Sequence, residues 1–273
     1  MKWPLLILLM VFVSGCISNS ETPRLKTCEE AIAEIPQIIA EAQAAQSAEV
    51  TRVVDGDTIE LSDSTRIRLI VINTPEKDEM FYAEAKANME NLVLNKQVYL
   101  QKDVSDKDKY GRSLRFVFTA DRFVNAEQIS AGLASSYEYF PDLKYSFLFN
   151  CLEKQAKLEN LGIWKGYGMY NFSASIKQNP DTSSNPNDEY VVLTNLGDLV
   201  DMNGWKMKDE ATHIYTFGEL ELATGSSVRI YSGSGTDTND TKYWNQKTTV
   251  WNNDGDTVFL RDAQGNLALA YEY

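Results

Sequence analysis

Between residues 55 and 112 stands one set of side chains suited to phosphate chemistry. Asp57, Asn73 and the Thr74 carbonyl offer hard oxygens of the kind calcium accepts, and Glu76 follows two residues later, close enough to orient a water beside such an ion. Arg68 lies on the run that ends in Asn73-Thr74-Pro75-Glu76, and Arg112 closes the turn Asp108-Lys109-Tyr110-Gly111-Arg112. Two guanidiniums with a divalent cation match a phosphodiester transition state, whose charge gathers on equatorial oxygens that planar forks bind bidentately. The chain has one histidine, His213, far from this region. Ser-His-Asp, Cys-His and histidine-rich zinc machinery are therefore excluded, and acid–base work falls to Asp, Glu, Tyr, Lys or a metal-bound water.

The elements that must position these groups are mostly strands. Glu49 to Val54, Thr58 to Leu61 and Arg66 to Ile72 alternate charged and apolar residues about the turn Asp55-Gly56-Asp57, and further strands are expected at Gln97 to Lys102 and Arg115 to Thr119. Helical spacing marks Met80 to Leu94, Asn125 to Leu133 and Tyr145 to Leu161. This order predicts a compact barrel flanked by helices. Upstream, Glu29 to Ala45 reads as a helix interrupted at Pro36, a spacer or packing arm within residues 16–47. Residues 166–187 are rich in Asn, Ser, Pro and Asp and read as a linker. From 188 to 273 only short strands follow, separated by Gly, Asn and Asp turns, which predicts a β-sandwich with Trp205 and Trp251 as core or corner residues. The fold class expected is therefore two domains, dominated by β-structure.

The net charge of −13 is at first unfavourable for a polyanionic partner. Its location weakens the objection. Residues 50–165 hold 16 Lys and Arg against 18 Asp and Glu, whereas 188–273 hold 6 against 14, so the acidity sits mainly in the C-terminal part. At the other end, Lys2, the apolar run Leu5 to Val13 and Val13-Ser14-Gly15-Cys16 resemble a lipoprotein signal peptide, residues 1–15, with Cys16 as the lipidated residue; an ordinary secretory signal is the alternative. Either predicts export, with outward-facing attachment to the cell membrane in the first case. Cys28 and Cys151 then remain, either as a disulfide or as two buried thiols.

Val54-Asp55-Gly56-Asp57-Thr58, Arg68-Leu69-Ile70-Val71-Ile72-Asn73-Thr74-Pro75-Glu76 and Asp108-Lys109-Tyr110-Gly111-Arg112 together resemble the thermonuclease (staphylococcal-nuclease-like) family, from about residue 48 to 165. The resemblance implies an OB-fold barrel and calcium-dependent endonuclease cleavage of DNA and RNA. It implies Asp57 as direct calcium ligand, Glu76 as the base that activates water, and Arg68 and Arg112 on the phosphate. Lys109 and Tyr110 would meet a neighbouring phosphate, and Tyr137 and Tyr139 a sugar or base. Asn73 departs from the aspartate usual in the family, which predicts weaker calcium binding. A barrel that binds nucleic acid, or serves adhesion, without cutting is the other reading.

Tyr190-Val191-Val192-Leu193-Thr194-Asn195, Asn203-Gly204-Trp205 and Trp251-Asn252-Asn253-Asp254-Gly255-Asp256-Thr257 resemble a lamin-tail domain, which implies an immunoglobulin-like sandwich. Its Asp254-Gly255-Asp256-Thr257 repeats the tetrapeptide at 55–58 without the arginine and Thr-Pro-Glu that follow there, and reads as a hairpin turn. An accessory role toward envelope material or a protein partner is expected for this domain, in a monomeric protein.

Overall fold

Strand pairing closes the first domain on itself. The computed structural model describes residues 26–179, 184–211 and 213–273, so the expected signal peptide at 1–15 and the expected lipidation at Cys16 lie outside the described residues. Helices α1 (Cys28–Ala33) and α2 (Ile35–Ala42) lead into β1 (Gln46–Val53), β2 (Thr58–Leu61), β3 (Arg66–Leu69), β4 (Ile72–Asn73), α3 (Tyr82–Val93), β5 (Gln97–Gln101), β6 (Ser113–Phe118), α4 (Val124–Ser130), β7 (Ser135–Ser136) and α5 (Ser146–Leu158). β1, β2, β3, β6 and β5 form a closed barrel in that order. Closure removes free sheet edges and points alternate residues such as Ile59, Ile67, Leu69 and Phe116 into a fully buried core. Pro36 falls in the first turn of α2, where its missing N–H costs nothing, so the interrupted helix of the sequence becomes two. A disulfide joins Cys28 on α1 to Cys151 on α5, with Cα atoms 5.3 Å apart.

The second domain contains β8 (Phe172–Lys177), β9 (Tyr190–Asn195), β10 (Val200–Asp201), β11 (Lys206–Lys208), β12 (Ile214–Thr216), β13 (Glu221–Leu222), β14 (Ser227–Tyr231), β15 (Thr241–Tyr243), β16 (Thr257–Arg261) and β17 (Leu267–Glu272). One sheet runs β15-β14-β9-β8 and the other β12-β11-β16-β17, with Trp205, Trp244 and Trp251 buried in the core between them. β8 corrects the linker reading of residues 166–187. Phe172, Ala174 and Ile176 pack on the core while Ser173, Ser175 and Lys177 face water, and that two-residue alternation outweighs the polar composition. The Asp254-Gly255-Asp256-Thr257 segment is likewise no hairpin, since β16 pairs with β11 and β17 and not with the preceding β15.

The two domains share a third, smaller core. Ala156, Ile163 and Trp164 of the first domain bury against Leu267 of the second, with Phe81 and Phe259 packed alongside. Arg261 crosses the junction to donate from Nη2 to the Ile163 carbonyl at 2.6 Å, and burial pulls its pKa down to about 10. Leu267→Ala is expected to cost about 2–5 kcal/mol, because a fully buried side chain leaves a cavity between two rigid surfaces. A lowered Tm in thermal unfolding checks this.

Candidate active site at the barrel mouth

Cross-strand register sets the first contact. Thr58 on β2 lies directly opposite Arg68 on β3, and Asp57 precedes Thr58. Arg68 Nε meets Asp57 Oδ1 at 3.1 Å in a largely buried ion pair. The other Asp57 oxygen accepts from the Thr74 amide and the Thr74 hydroxyl, each at 3.0 Å. Gly56 permits this closeness, since a Cβ there would stand 2.8 Å from the Thr74 side chain. Beyond β3, Val71 adopts φ +61°, a costly conformation for a β-branched residue, and the sharp turn brings Asn73 and Thr74 back beneath the arginine.

β6 runs parallel to β3 and brings Arg112 to the same mouth. Asp108 Oδ1 caps the turn by accepting the Tyr110 and Arg112 amides, and its Oδ2 takes Arg112 Nε at 2.6 Å. Burial opposes ionisation of Asp108, yet these bonds hold its carboxyl below the ordinary aspartate value. Arg112 Nη1 then reaches the Thr58 hydroxyl at 3.4 Å, and that hydroxyl donates to Asp57 Oδ1 at 3.1 Å. Arg68 and Arg112 are thus joined through Asp57 and Thr58. Lys109 and Tyr110 sit at the exposed rim of the turn, with the Tyr110 ring 5.1 Å from Lys109 Nζ and 5.5 Å from the Arg112 guanidinium carbon.

Glu76 stands in the same electrostatic field. Loss of surrounding water, then the carboxylates of Asp57, Asp55 and Glu79, push its pKa up, while Arg68 pulls it down. Asp55 is raised by burial and by Asp57. Carboxylates that raise one another mark a surplus of negative charge, and a cation relieves it. The donors are hard oxygens, which fits calcium. Among the described residues no three His, Cys, Asp or Glu side chains close on one point, so Asp57 would supply the direct charge and neutral oxygens and water the remainder. Asn73 is differently placed from a free ligand: its Oδ1 accepts from Arg68 Nη2 at 3.4 Å and its Nδ2 donates to the Glu210 carbonyl of the second domain at 3.2 Å.

Tyr137 is tied to this corner through its amide, which donates to the Val71 carbonyl at 3.0 Å. Burial, then Glu210 and Asp256, raise its hydroxyl pKa, with Arg68 opposing. Tyr139 is two-thirds exposed nearby. Both line a cleft of about 840 Å³ that runs onto the second domain, where Glu210, Asp256 and Glu272 form an acidic wall. His213 stays outside the site, its Nδ1 2.6 Å from Asp209.

Three contributors escaped sequence reasoning. Thr58 bridges the arginines, and buried Asn125 and Gln128 on α4 hold the site from behind: Asn125 donates to the Ile70 carbonyl at 2.9 Å and Gln128 to the Gly56 carbonyl at 2.6 Å. Amides on a helix face otherwise filled by Val124, Ala126 and Ile129 were the available signal.

Similarity to known proteins covers the same stretch of chain. The family model for staphylococcal nuclease homologues matches residues 66–166. The thermonuclease of Staphylococcus intermedius is 37% identical over 125 residues, covering 42% of this chain and 74% of that protein. The chain belongs to the staphylococcal nuclease family. Within that family, the thermonuclease of Staphylococcus hyicus is 31% identical over 128 residues, covering 44% of this chain and 76% of that protein. The SPbeta prophage-derived endonuclease YokF of Bacillus subtilis is 34% identical, covering 43% of each chain. The Lamin Tail Domain model matches residues 174–273, beginning inside β8. Arg68, Glu76 and Arg112 fall within the nuclease match, whereas Asp57 and Thr58 precede it.

Proposed function

We propose that this protein is an exported, calcium-dependent nuclease that hydrolyses phosphodiester bonds in DNA and RNA. The observation that carries the reading is the convergence of Arg68 and Arg112 on Asp57 and Thr58, with Glu76 in the field of the same carboxylates. The guanidiniums bind a phosphate and stabilise the charge that grows on its equatorial oxygens. Glu76 accepts the proton of the attacking water, favoured in that role by a pKa above the ordinary glutamate value. Asp57 and the Thr74 carbonyl would hold calcium, joined by Asn73 where its Oδ1 gives up the bond from Arg68, and the ion when bound adds Lewis-acid stabilisation of the phosphoryl charge. Lys109 and Tyr110 steady the adjoining phosphate, and Tyr137 and Tyr139 take sugar or base by stacking that tolerates every base. By family likeness the products carry 5′-hydroxyl and 3′-phosphate ends. The acidic wall at Glu210, Asp256 and Glu272 repels phosphates, so the strand's backbone follows the Arg68, Lys109 and Arg112 side.

Incubation of the purified protein with DNA and RNA, with calcium or chelator, tests this. Degradation that requires calcium is expected; intact substrates under every condition would leave the nucleic-acid-binding or adhesion reading. Calcium should also raise the Tm of the wild type, because it binds the folded carboxylate cluster, and should not do so in Asp57→Asn.

Asn73→Asp is expected to reach half-maximal rate at lower calcium, since a charged ligand replaces a neutral one. The same change sets a carboxylate against the Glu210 carbonyl and is expected to cost about 1–3 kcal/mol of stability. A calcium titration together with a melting curve separates the two effects. Export with lipid attachment at Cys16 belongs to the same proposal, as do a monomeric state and an envelope or protein partner for the sandwich. Membrane fractionation of wild type and Cys16→Ala checks the anchor.

A further inference from the structure

We propose that the lamin-tail sandwich is a working part of the active site, with Lys208 acting through Glu79 to position the loop that carries Glu76. The inference rests on the nuclease reading for the role of Glu76. Its structural basis is independent of it.

Residues 76–79 close on themselves. The Glu79 amide donates to the Glu76 carbonyl at 3.0 Å, and the Glu76 amide donates back to Glu79 Oε2 at 3.1 Å. The Glu79 carboxylate is therefore the element that fixes the backbone from which Glu76 projects. Lys208 on β11 of the sandwich supplies that carboxylate's counter-charge, with Nζ 2.7 Å from Oε1 and 2.9 Å from Oε2. The pair is largely buried, with 20% of the Lys208 side chain and 9% of the Glu79 side chain exposed, so water screens it weakly. Half-buried Arg261 adds positive charge toward the same carboxylate.

The second domain touches the catalytic segment elsewhere too, and Phe81 packs beside Leu267. Glu210 accepts from Asn73, which in turn accepts from Arg68, and Gly265 lies against the Met80 side chain, with no room for a Cβ. A cavity of about 120 Å³, lined by Thr74, Pro75, Glu79, Met80, Lys206 and Lys208, separates loop from sandwich elsewhere. Without Lys208, the Glu79 carboxylate would gain by turning into water, and the amide bond to Glu76 would be released with it. Lys208 is a positioning residue in this account, since it reaches the reaction only through Glu79.

Lys208→Met, Lys208→Arg and Leu267→Ala in the full chain test this by amide exchange over residues 75–81 and by steady-state kinetics on a DNA substrate. Lys208→Met is expected to quicken exchange of that segment about tenfold and to lower kcat about tenfold, because small displacements of a reacting group are costly. KM should stay within about twofold, as ground-state binding lies with the arginines. Lys208→Arg should recover most of both losses. Leu267→Ala opens a cavity at the domain junction and keeps both charges of the strut; Phe81 borders that cavity, so exchange in this variant is read at residues 76–80, which should stay near wild type below its Tm, as should kcat. Unchanged exchange in Lys208→Met overturns the proposal. So does faster exchange with kcat intact, or an equal loss of kcat in Leu267→Ala. If the wild type hydrolyses neither DNA nor RNA, the nuclease reading falls, and the strut still stands or falls on the exchange data.

Discussion

Glu76→Gln is expected to lower kcat by about 10²–10⁴-fold while leaving KM and fold little changed. Glutamine keeps the shape of the side chain and removes its capacity to take a proton. Glu76 belongs to no packed core and is only partly withdrawn from water, and its backbone amide is held by Glu79, so the substitution disturbs no packed surface. Loss of a like charge beside Asp55, Asp57 and Glu79 relieves repulsion, so the variant should melt no lower than wild type. A variant that is both inactive and more stable is the signature of a catalytic carboxylate. Retention of wild-type kcat would remove Glu76 from the mechanism and return the proton to another group.

Arg112→Ala is expected to cost about 10²–10³-fold in kcat, the range found when one preorganised donor to transition-state charge is deleted. The guanidinium is oriented before substrate arrives: Asp108 holds Nε, and the Thr58 hydroxyl holds Nη1. Arg112→Lys should recover little of the loss, because an ammonium cannot span Asp108, Thr58 and a phosphate oxygen with one planar fork. Arg68 is less suited to this test, since Arg68→Ala leaves the buried Asp57 carboxylate without its ion partner and mixes a stability loss into the rate. A near-wild-type rate in Arg112→Ala would mean that the turn at 108–112 serves only the fold.

The barrel was legible because its signals are local. Alternation in β1 to β3, the turn residues at 55–57 and the apolar spacing of α3 and α5 each speak to a neighbour a few residues away. The approach of Arg68 and Arg112 was legible for a related reason: Arg112 closes the turn Asp108 to Gly111, and Arg68 sits on the strand that the Ser62-Asp63-Ser64 turn folds back beside Asp57 and Thr58. β8 was hidden because its outward residues are serines and a lysine, which match linker composition, and because its inward face is completed only by the sheet opposite. The attachment of the sandwich to the catalytic loop left no local trace. Glu79 and Lys208 are 129 residues apart, and either alone reads as a surface charge. The site was therefore readable where one domain builds it and unreadable where two domains do.

The disulfide between Cys28 and Cys151 has a mechanical consequence. It spans 123 residues of chain and links α1, ahead of the first barrel strand, to α5, the last long helix of that domain. Tension applied at the N-terminus enters at Cys28 and passes across sulfur into α5, so β1 carries none of it and cannot be unzipped from β5 and β2. With the bond reduced, the same pull falls on the hydrogen bonds between Gln46–Glu49 and Gln97–Leu100, the first rung of the barrel to shear.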